Sequence, residues 1–256
     1  MLKLAICISG TTKYHENSLK SIEKYFSSYN PKIFIHTYNI DPNRLIEDSW
    51  SKNKQYEYLS NLKLSTYQIT ELYKPEYQAI EDYDKVTMDL LPHFLEITST
   101  ESLNLYSMGS NIGPISMHYS IRAANALKSY YETENNMKFD VVVRMRYDSD
   151  IKVMEPLSQY DLSRINIPIY RDWMGGINDQ FAFGPSELMD KYSNLFPTFG
   201  YHTRMCGIYH PETIFRTYLQ DIKIESEIVR PKILVDIASD IDYSSQNAIF
   251  YENDNT

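Results

Sequence analysis

An α/β fold, with a mixed and mainly parallel central sheet flanked by helices, is predicted by three features of this sequence. Residues 2–39 read as strand, helix and strand in succession. In mid-chain, Val141-Val142-Val143 forms an apolar run without polar alternation, as expected of a strand buried on both faces. The chain has 256 residues, 43% of them hydrophobic and 14% aromatic, enough to bury a full core as one large domain.

The first strand is "LKLAICIS", residues 2–9, ended by Gly10. In "HENSLKSIEKYF" the residues Leu19, Ile22 and Phe26 share one helical face, and "PKIFIHTYN" reads as the second strand. Such a unit closes by a right-handed crossover, with its ligand site at the carboxyl ends of parallel strands. The Ser9-Gly10-Thr11-Thr12 turn is thereby placed to contact a nucleotide, although a small-residue turn is equally ordinary there. Residues 41–110 are less regular and read as covering the sheet or forming an insertion. Within them "DPNRLIEDSW" and "KPEYQAIEDY" look like short helices. "YSMGSNIGPIS" reads as a loop before the helix "MHYSIRAANALKSYYE", which turns Ile121, Ala124, Leu127 and Tyr131 inward. Arg122 or Lys128 on that helix could reach an anion, although each reads rather as a solvated charge.

"FDVVVRMRYDSDI" then reads as a central strand entering a loop. Asp148 and Asp150 stand two apart, so on extended backbone they point the same way and repel each other. A divalent cation removes that conflict and keeps both ionised. Mg²⁺ or Mn²⁺ takes oxygen ligands, commonly one or two carboxylates with phosphate oxygens and water, as a nucleoside diphosphate-sugar would require. Arg144 and Arg146 either hold a carboxylate in place or meet the diphosphate. The alternative is a solvated loop, with Asp148 capping a turn and Asp150 paired to one of the arginines.

"INIPIYRDWMGGINDQFAFGPSELMDKYSNLF" reads as strand, glycine-containing loop, short strand and helix. Leu188, Met189, Tyr192, Leu195 and Phe196 fall at core spacing. Glycines let the Gly175-Gly176-Ile177-Asn178-Asp179-Gln180 loop approach a ligand, and Asp179 is its candidate general base. An aspartate that merely orders the turn is the other reading. "GIYHPETIFRTYL" carries His210, Pro211 and Glu212 before a helix with Ile214, Phe215, Tyr218 and Leu219 inward. Pro211 and Glu212 are ordinary start signals, and His210 is either structural or a third metal ligand or phosphate contact.

Composition bounds the partners. A formal net charge of -9 argues against nucleic acid, which normally needs a basic stripe. Cys7 and Cys206 form no disulfide framework and suit a reduced compartment. The apolar run of "MLKLAICISG" is short for a signal peptide, and no stretch of about 18 to 20 apolar residues follows. A soluble cytoplasmic protein without stable membrane insertion is therefore expected.

Taken in order, Arg144-x-Arg146-Tyr147-Asp148-x-Asp150, Asn178-Asp179-Gln180-Phe181-Ala182-Phe183-Gly184, Met189-x-x-Tyr192 and His210-Pro211-Glu212 resemble a group of small bacterial and large-virus glycosyltransferases. The resemblance runs from the "CISG" opening to about Leu219. It implies a single GT-A-like (Rossmann-like) domain over residues 1–256, and, for a viral chain, the host cytoplasm. Residues 1–150 would form the nucleotide-sugar half with its insertion at 41–110, residues 151–220 the acceptor half, and 221–256 an extension. It also implies that Asp148 and Asp150, with His210 as a candidate third ligand, hold Mn²⁺ or Mg²⁺ and the donor diphosphate. Ser9, Gly10 and Thr11 would line the nucleotide, with Arg144 and Arg146 near the donor and Asp179 as the base toward a glycan or glycoconjugate acceptor. In this turn Thr11-Thr12-Lys13 stand where such enzymes often carry arginine. Two other readings are a phosphatase of the haloacid dehalogenase type, with Asp148 as nucleophile, and a non-catalytic carbohydrate-binding protein using some of the 23 tyrosines and 2 tryptophans.

Overall fold

A computed structural model describes residues 2–39, 64–99 and 112–237. The strands are β1 (Leu4–Ser9), β2 (Lys32–Asn39), β3 (Tyr77–Asp82), β4 (Val141–Arg146), β5 (Ser149–Val153), β6 (Ile165–Asn166), β7 (Ala182–Gly184), β8 (Ile228–Val229) and β9 (Leu234–Ile237). The α-helices are α1 (His15–Tyr25), α2 (Thr66–Tyr73), α3 (Tyr83–Thr98), α4 (Gly113–Glu134), α5 (Ser186–Tyr192), α6 (Phe199–Cys206) and α7 (Pro211–Asp221). Among the described residues, seven strands form the main sheet in the order β3-β2-β1-β4-β7-β6-β8, while β5 and β9 pair separately. The pairs β1–β2, β1–β4, β2–β3 and β6–β8 are parallel; β4–β7 and β6–β7 are antiparallel.

Alternation divides the core between the two sheet faces. Leu4, Ile6 and Ile8 of β1 join Val141, Val143 and Met145 of β4 in one cluster, covered by Ile22 of α1 and by Ile69 and Tyr73 of α2. Ala5 and Cys7 join Val142 in the other, under α3 to α7. Each fully buried valine or isoleucine contributes about 1.5 to 3 kcal/mol relative to exposure. Arg144 follows Val142 on the helix-rich face, and that places it in the interior.

Both opening strands and α1 lie where the sequence puts them. Three expectations are corrected. "KPEYQAIEDY" is not a helix: Tyr77–Asp82 pairs along the edge of β2, where ladder hydrogen bonds override weak local preference. Asp82 instead caps α3, its Oδ1 accepting from Lys85 N at 2.8 Å. Among the described residues of 41–110, β3 extends the sheet at its edge while α2 and α3 cover its two faces; "DPNRLIEDSW" lies outside the described residues. The stretch after Tyr147-Asp148 is also not a loop, because Ser149–Val153 is a strand. Ser21 of α1 fixes it, donating to Ser149 O (3.2 Å) and accepting from Ile151 N (2.9 Å). Lys128 is buried, not solvated; its Nζ donates to Glu132 Oε2 (3.1 Å), Ser186 Oγ (2.7 Å) and Asp190 Oδ1 (2.7 Å). Arg122 is exposed and donates to Asn194 Oδ1.

β8 adds a strand to the main sheet and β9 pairs with β5, so the segment after residue 221 also contributes to the fold. The terminal "YENDNT" lies outside the described residues. Both cysteines are free thiols, and no helix among the described residues is long and apolar enough to cross a membrane.

Candidate functional site

The chain leaves β1 toward β2 and β3 on one side and returns through α4 to β4 on the other, so the strand order reverses between β1 and β4. In open α/β sheets ligands bind at such a switch point, outside the carboxyl ends of the strands. Ser9 and Arg146 are register partners there.

The turn after β1 is anchored from two elements, β2 and α4. Gly10 has φ +109°, a conformation that side chains rarely adopt. Its N–H lies 3.0 Å from Ser120 Oγ and 3.3 Å from His36 O, and its carbonyl accepts from Thr37 Oγ1 at 2.7 Å. Behind it, His36 joins Ser120 Oγ (2.7 Å) to Glu81 Oε2 (2.6 Å), which also accepts from Tyr119 OH (2.8 Å). Ser9 is buried and Thr11 half-buried, so the turn offers its backbone more than its side chains.

At the end of β4, Arg146 donates Nε to Asp148 Oδ1 and Nη2 to Asp148 Oδ2, both at 2.8 Å. Burial pushes the Asp148 carboxyl up, but the Arg146 charge and hydrogen bonds outweigh it and hold the group below the usual carboxylate range. Asp148 occupies a turn rather than extended backbone, so the alternation argument does not fix its direction relative to Asp150. Asp150 is half-buried on β5, ion-paired with Lys152 and opposite Asp236, which Arg171 meets at 3.0 Å. His210, the N-cap of α7, lies 3.2 Å from Thr213 Oγ1 and 3.4 Å from Glu212 Oε2. Among the described residues no three His, Cys, Asp or Glu side chains form a group able to hold a metal, so Asp148, Asp150 and His210 are not a ready-made ligand set. A hard cation here would draw its remaining ligands from phosphate oxygens and water.

Asp179 is buried at the approach to β7. The antiparallel register Arg144↔Ala182 runs the residues entering β7 alongside the carboxyl end of β4. A brace holds this approach: Arg230 Nη2 reaches Asp172 Oδ1 (2.7 Å) and Oδ2 (2.8 Å), Asp172 Oδ1 accepts from Asn178 N (3.0 Å), and Asn178 Oδ1 accepts from Gln180 N (2.8 Å). Gly176 brings the loop against α7. A Cβ there would stand 2.3 Å from the Glu212 carbonyl carbon, and Ile177 N donates to Glu212 O at 3.2 Å.

The resulting interior is unusually polar. Arg144 is 2% exposed, and none of its three guanidinium nitrogens has a hydrogen-bond partner among the described residues. The same holds for Asp179 Oδ2, Tyr192 OH, His118 Nε2 and Glu212 Oε2, all buried. Their charges act on one another. His118 is pushed down to about 3, first by burial and then by Arg144. Burial raises Asp179 while Arg144 and Arg146 oppose the rise. Burial, and next the Asp179 charge, push Glu212 up to about 9. Arg144 and Arg146 both oppose the rise at Asp179, whereas the Asp179 charge adds to burial at Glu212, so the coupling favours the anion at Asp179 and the proton at Glu212.

Sequence reasoning singled out Arg144, Arg146, Asp148 and Asp179, and the fold brings them together. Asp150 and His210 are turned to other partners. The sequence places Tyr192 in a core stripe and Glu212 at a helix start, and both stand in the resembling motifs without a site role; His118 and Asp172 carry no such mark. A tyrosine in a helical core stripe carries no sequence mark of where its hydroxyl ends. No model of a known protein family matches the chain, and a search of curated proteins finds no match.

The Glu212 shift has a sign that can be tested. An unfolded glutamate loses its proton near about 4.3, whereas the folded one holds it to about 9. Between those values the folded state binds more protons than the unfolded state, so stability falls as pH rises. Denaturant midpoints measured from about pH 5 to about pH 9 should decline in the wild type and decline less in Glu212→Gln. Equal slopes would mean that Glu212 is ionised in the fold.

Proposed function

We propose that the protein is a glycosyltransferase of GT-A type, moving a sugar from a nucleoside diphosphate-sugar to a hydroxyl of a glycan or glycoconjugate, with inversion. The observation that carries this reading is Asp179, a buried carboxyl with an unpartnered oxygen. It is electrostatically coupled to Arg144 and Arg146 at the switch point between β1 and β4. Its raised affinity for a proton suits a general base.

In the proposed reaction Asp179 takes the proton of the acceptor hydroxyl as that oxygen attacks the anomeric carbon. The bond from that carbon to the diphosphate oxygen breaks, and its electron pair leaves with the diphosphate. The anchored Gly10 turn offers backbone to the nucleotide, with Ser9 and Thr11 beside it. Lys13, on the same turn, brings a further positive charge that is felt at Asp148 and would face the phosphates. Asp148 and Asp150, paired in this structure with Arg146 and Lys152, would have to exchange those partners to hold Mn²⁺ or Mg²⁺, whose contribution when bound is to neutralise the leaving diphosphate. The phosphatase reading is disfavoured because both Asp148 oxygens are engaged by Arg146, leaving a poor nucleophile.

Thermal shift with nucleoside diphosphates and their sugar conjugates, with and without Mn²⁺, tests the reading. At least one conjugate should stabilise the wild type and, with Mn²⁺ present, fail to stabilise Asp148→Ala. Stabilisation of wild type and variant alike would remove Asp148 from the donor site. Glycan binding indifferent to nucleotide and metal would instead favour the carbohydrate-binding reading.

A further inference from the structure

The interior behind Asp179 holds donors and acceptors of opposite type that do not bond to one another. Arg144 has five N–H groups on three unpartnered nitrogens, while Asp179 Oδ2 is an unpartnered acceptor, and each charge acts on the other. Tyr192 OH is felt by both of them. The rings of His118 and Tyr192 pack on Phe215 of α7, with centroids 5.6 and 4.7 Å apart respectively, giving this region an apolar wall. Leaving buried polar groups unmet is costly, most of all for charged ones, so they point to an occupant.

The charge balance selects its class. Asp179 offsets Arg144, and Asp148 offsets Arg146, so the interior has no surplus positive charge for another anion. A hydroxyl fits, because it accepts from a guanidinium and can both accept from and donate to a phenol. A neutral polyhydroxylated ring supplies several hydroxyls together with apolar C–H surface for the wall. We infer that Arg144 and Tyr192 receive the hydroxyl groups of a sugar, beside the Phe215 wall, with the Asp179 carboxyl left to the acceptor. The inference relies on the transferase reading for identifying this sugar as the one carried by the donor.

Tyr192→Phe is the cleaner test, since the hydroxyl removed has no hydrogen bond among the described residues to lose. That variant should melt at or above the wild-type temperature. Arg144→Met removes the guanidinium while retaining a long stem. Calorimetry would compare wild type and both variants against nucleoside diphosphates, their hexose conjugates in Mn²⁺, and free hexoses. The sugar's contribution to affinity should fall about tenfold in Tyr192→Phe and about a hundredfold in Arg144→Met, with the bare diphosphate bound as before. If no diphosphate binds but a free hexose does, and the variants weaken it, the sugar site stands and the transferase reading falls. If conjugates bind the wild type and Tyr192→Phe with equal affinity, the sugar site falls and the transferase reading survives. Absence of binding by every probe overturns both.

Discussion

Asp179→Asn should lower turnover about a thousandfold while donor affinity stays within a few-fold of wild type. Removing a general base from a positioned acceptor hydroxyl costs about 10² to 10⁴ in rate, and a thousandfold loss corresponds to about 4 kcal/mol of barrier. Asparagine keeps the shape of the side chain but cannot take the proton. The surrounding brace should keep its place, because Arg230, Asp172, Asn178 and Gln180 are joined through groups other than the Asp179 carboxyl. Steady-state transfer kinetics beside calorimetric donor binding would separate the two effects. Turnover within threefold of wild type would remove Asp179 as the base. A parallel loss of donor affinity would make it a binding residue. The haloacid dehalogenase reading predicts the reverse pattern, with Asp148→Asn abolishing phosphate release and Asp179→Asn tolerated.

Lys128→Ala should produce the largest loss of stability, about 3 to 5 kcal/mol, because it removes one partner from a buried ionic network. Folded domains are stable by only about 5 to 15 kcal/mol, so this is a large share. Lys128 pins α4 to α5 through Ser186 and Asp190 and meets Glu132 on its own helix. Glu132 retains other partners in the variant, since Ser186 Oγ, Lys138 Nζ and Phe139 N all donate to it at 2.6 to 3.0 Å. Asp190 likewise keeps Asn125 Nδ2 (2.7 Å) and Ser129 Oγ (3.0 Å), so the loss falls on the missing neutralising charge and on the space left by the lysine stem. Lys128→Met refills that space without the charge and should recover part of the stability, which separates packing from ion pairing. Urea unfolding read from the midpoint, with the slope checked for constancy, would measure both variants. A loss below about 1 kcal/mol for Lys128→Ala would show that the network is replaced by hydration at little cost. The same pin fixes the two helices that carry His118 and Tyr192 toward Arg144.

Parts of this molecule were legible because local chemistry and the final fold agree. β1 and the start of β2 carry apolar runs and α1 an apolar helical face, and the fold uses them as written. β3 was not legible, because Tyr77–Asp82 has only partly buried side chains and becomes a strand through its hydrogen bonds to β2. Asp148 and Asp150 looked like a matched pair on extended backbone. A turn at Tyr147-Asp148 intervenes, and Arg146 and Lys152 take one carboxylate each. Lys128 looked solvated because its acceptors, Ser186 and Asp190, lie far along the chain, and no local pattern announces such partners.

By itself the sequence determined the α/β class, the strand–helix–strand opening, the buried β4 and the presence of acids and arginines where β4 ends. These follow from periodicity and turn chemistry, which act over a few residues. Only the tertiary structure decided which of those groups meet. The antiparallel seating of β7 brings Asp179 beside the carboxyl end of β4, and the close approach of Gly176 to α7 sets Glu212 in the same neighbourhood. Burial then shifts their proton affinities and leaves Arg144 and Tyr192 unpartnered among the described residues. Desolvation and charge coupling depend on three-dimensional neighbours, and those neighbours are set by packing between segments distant in the chain.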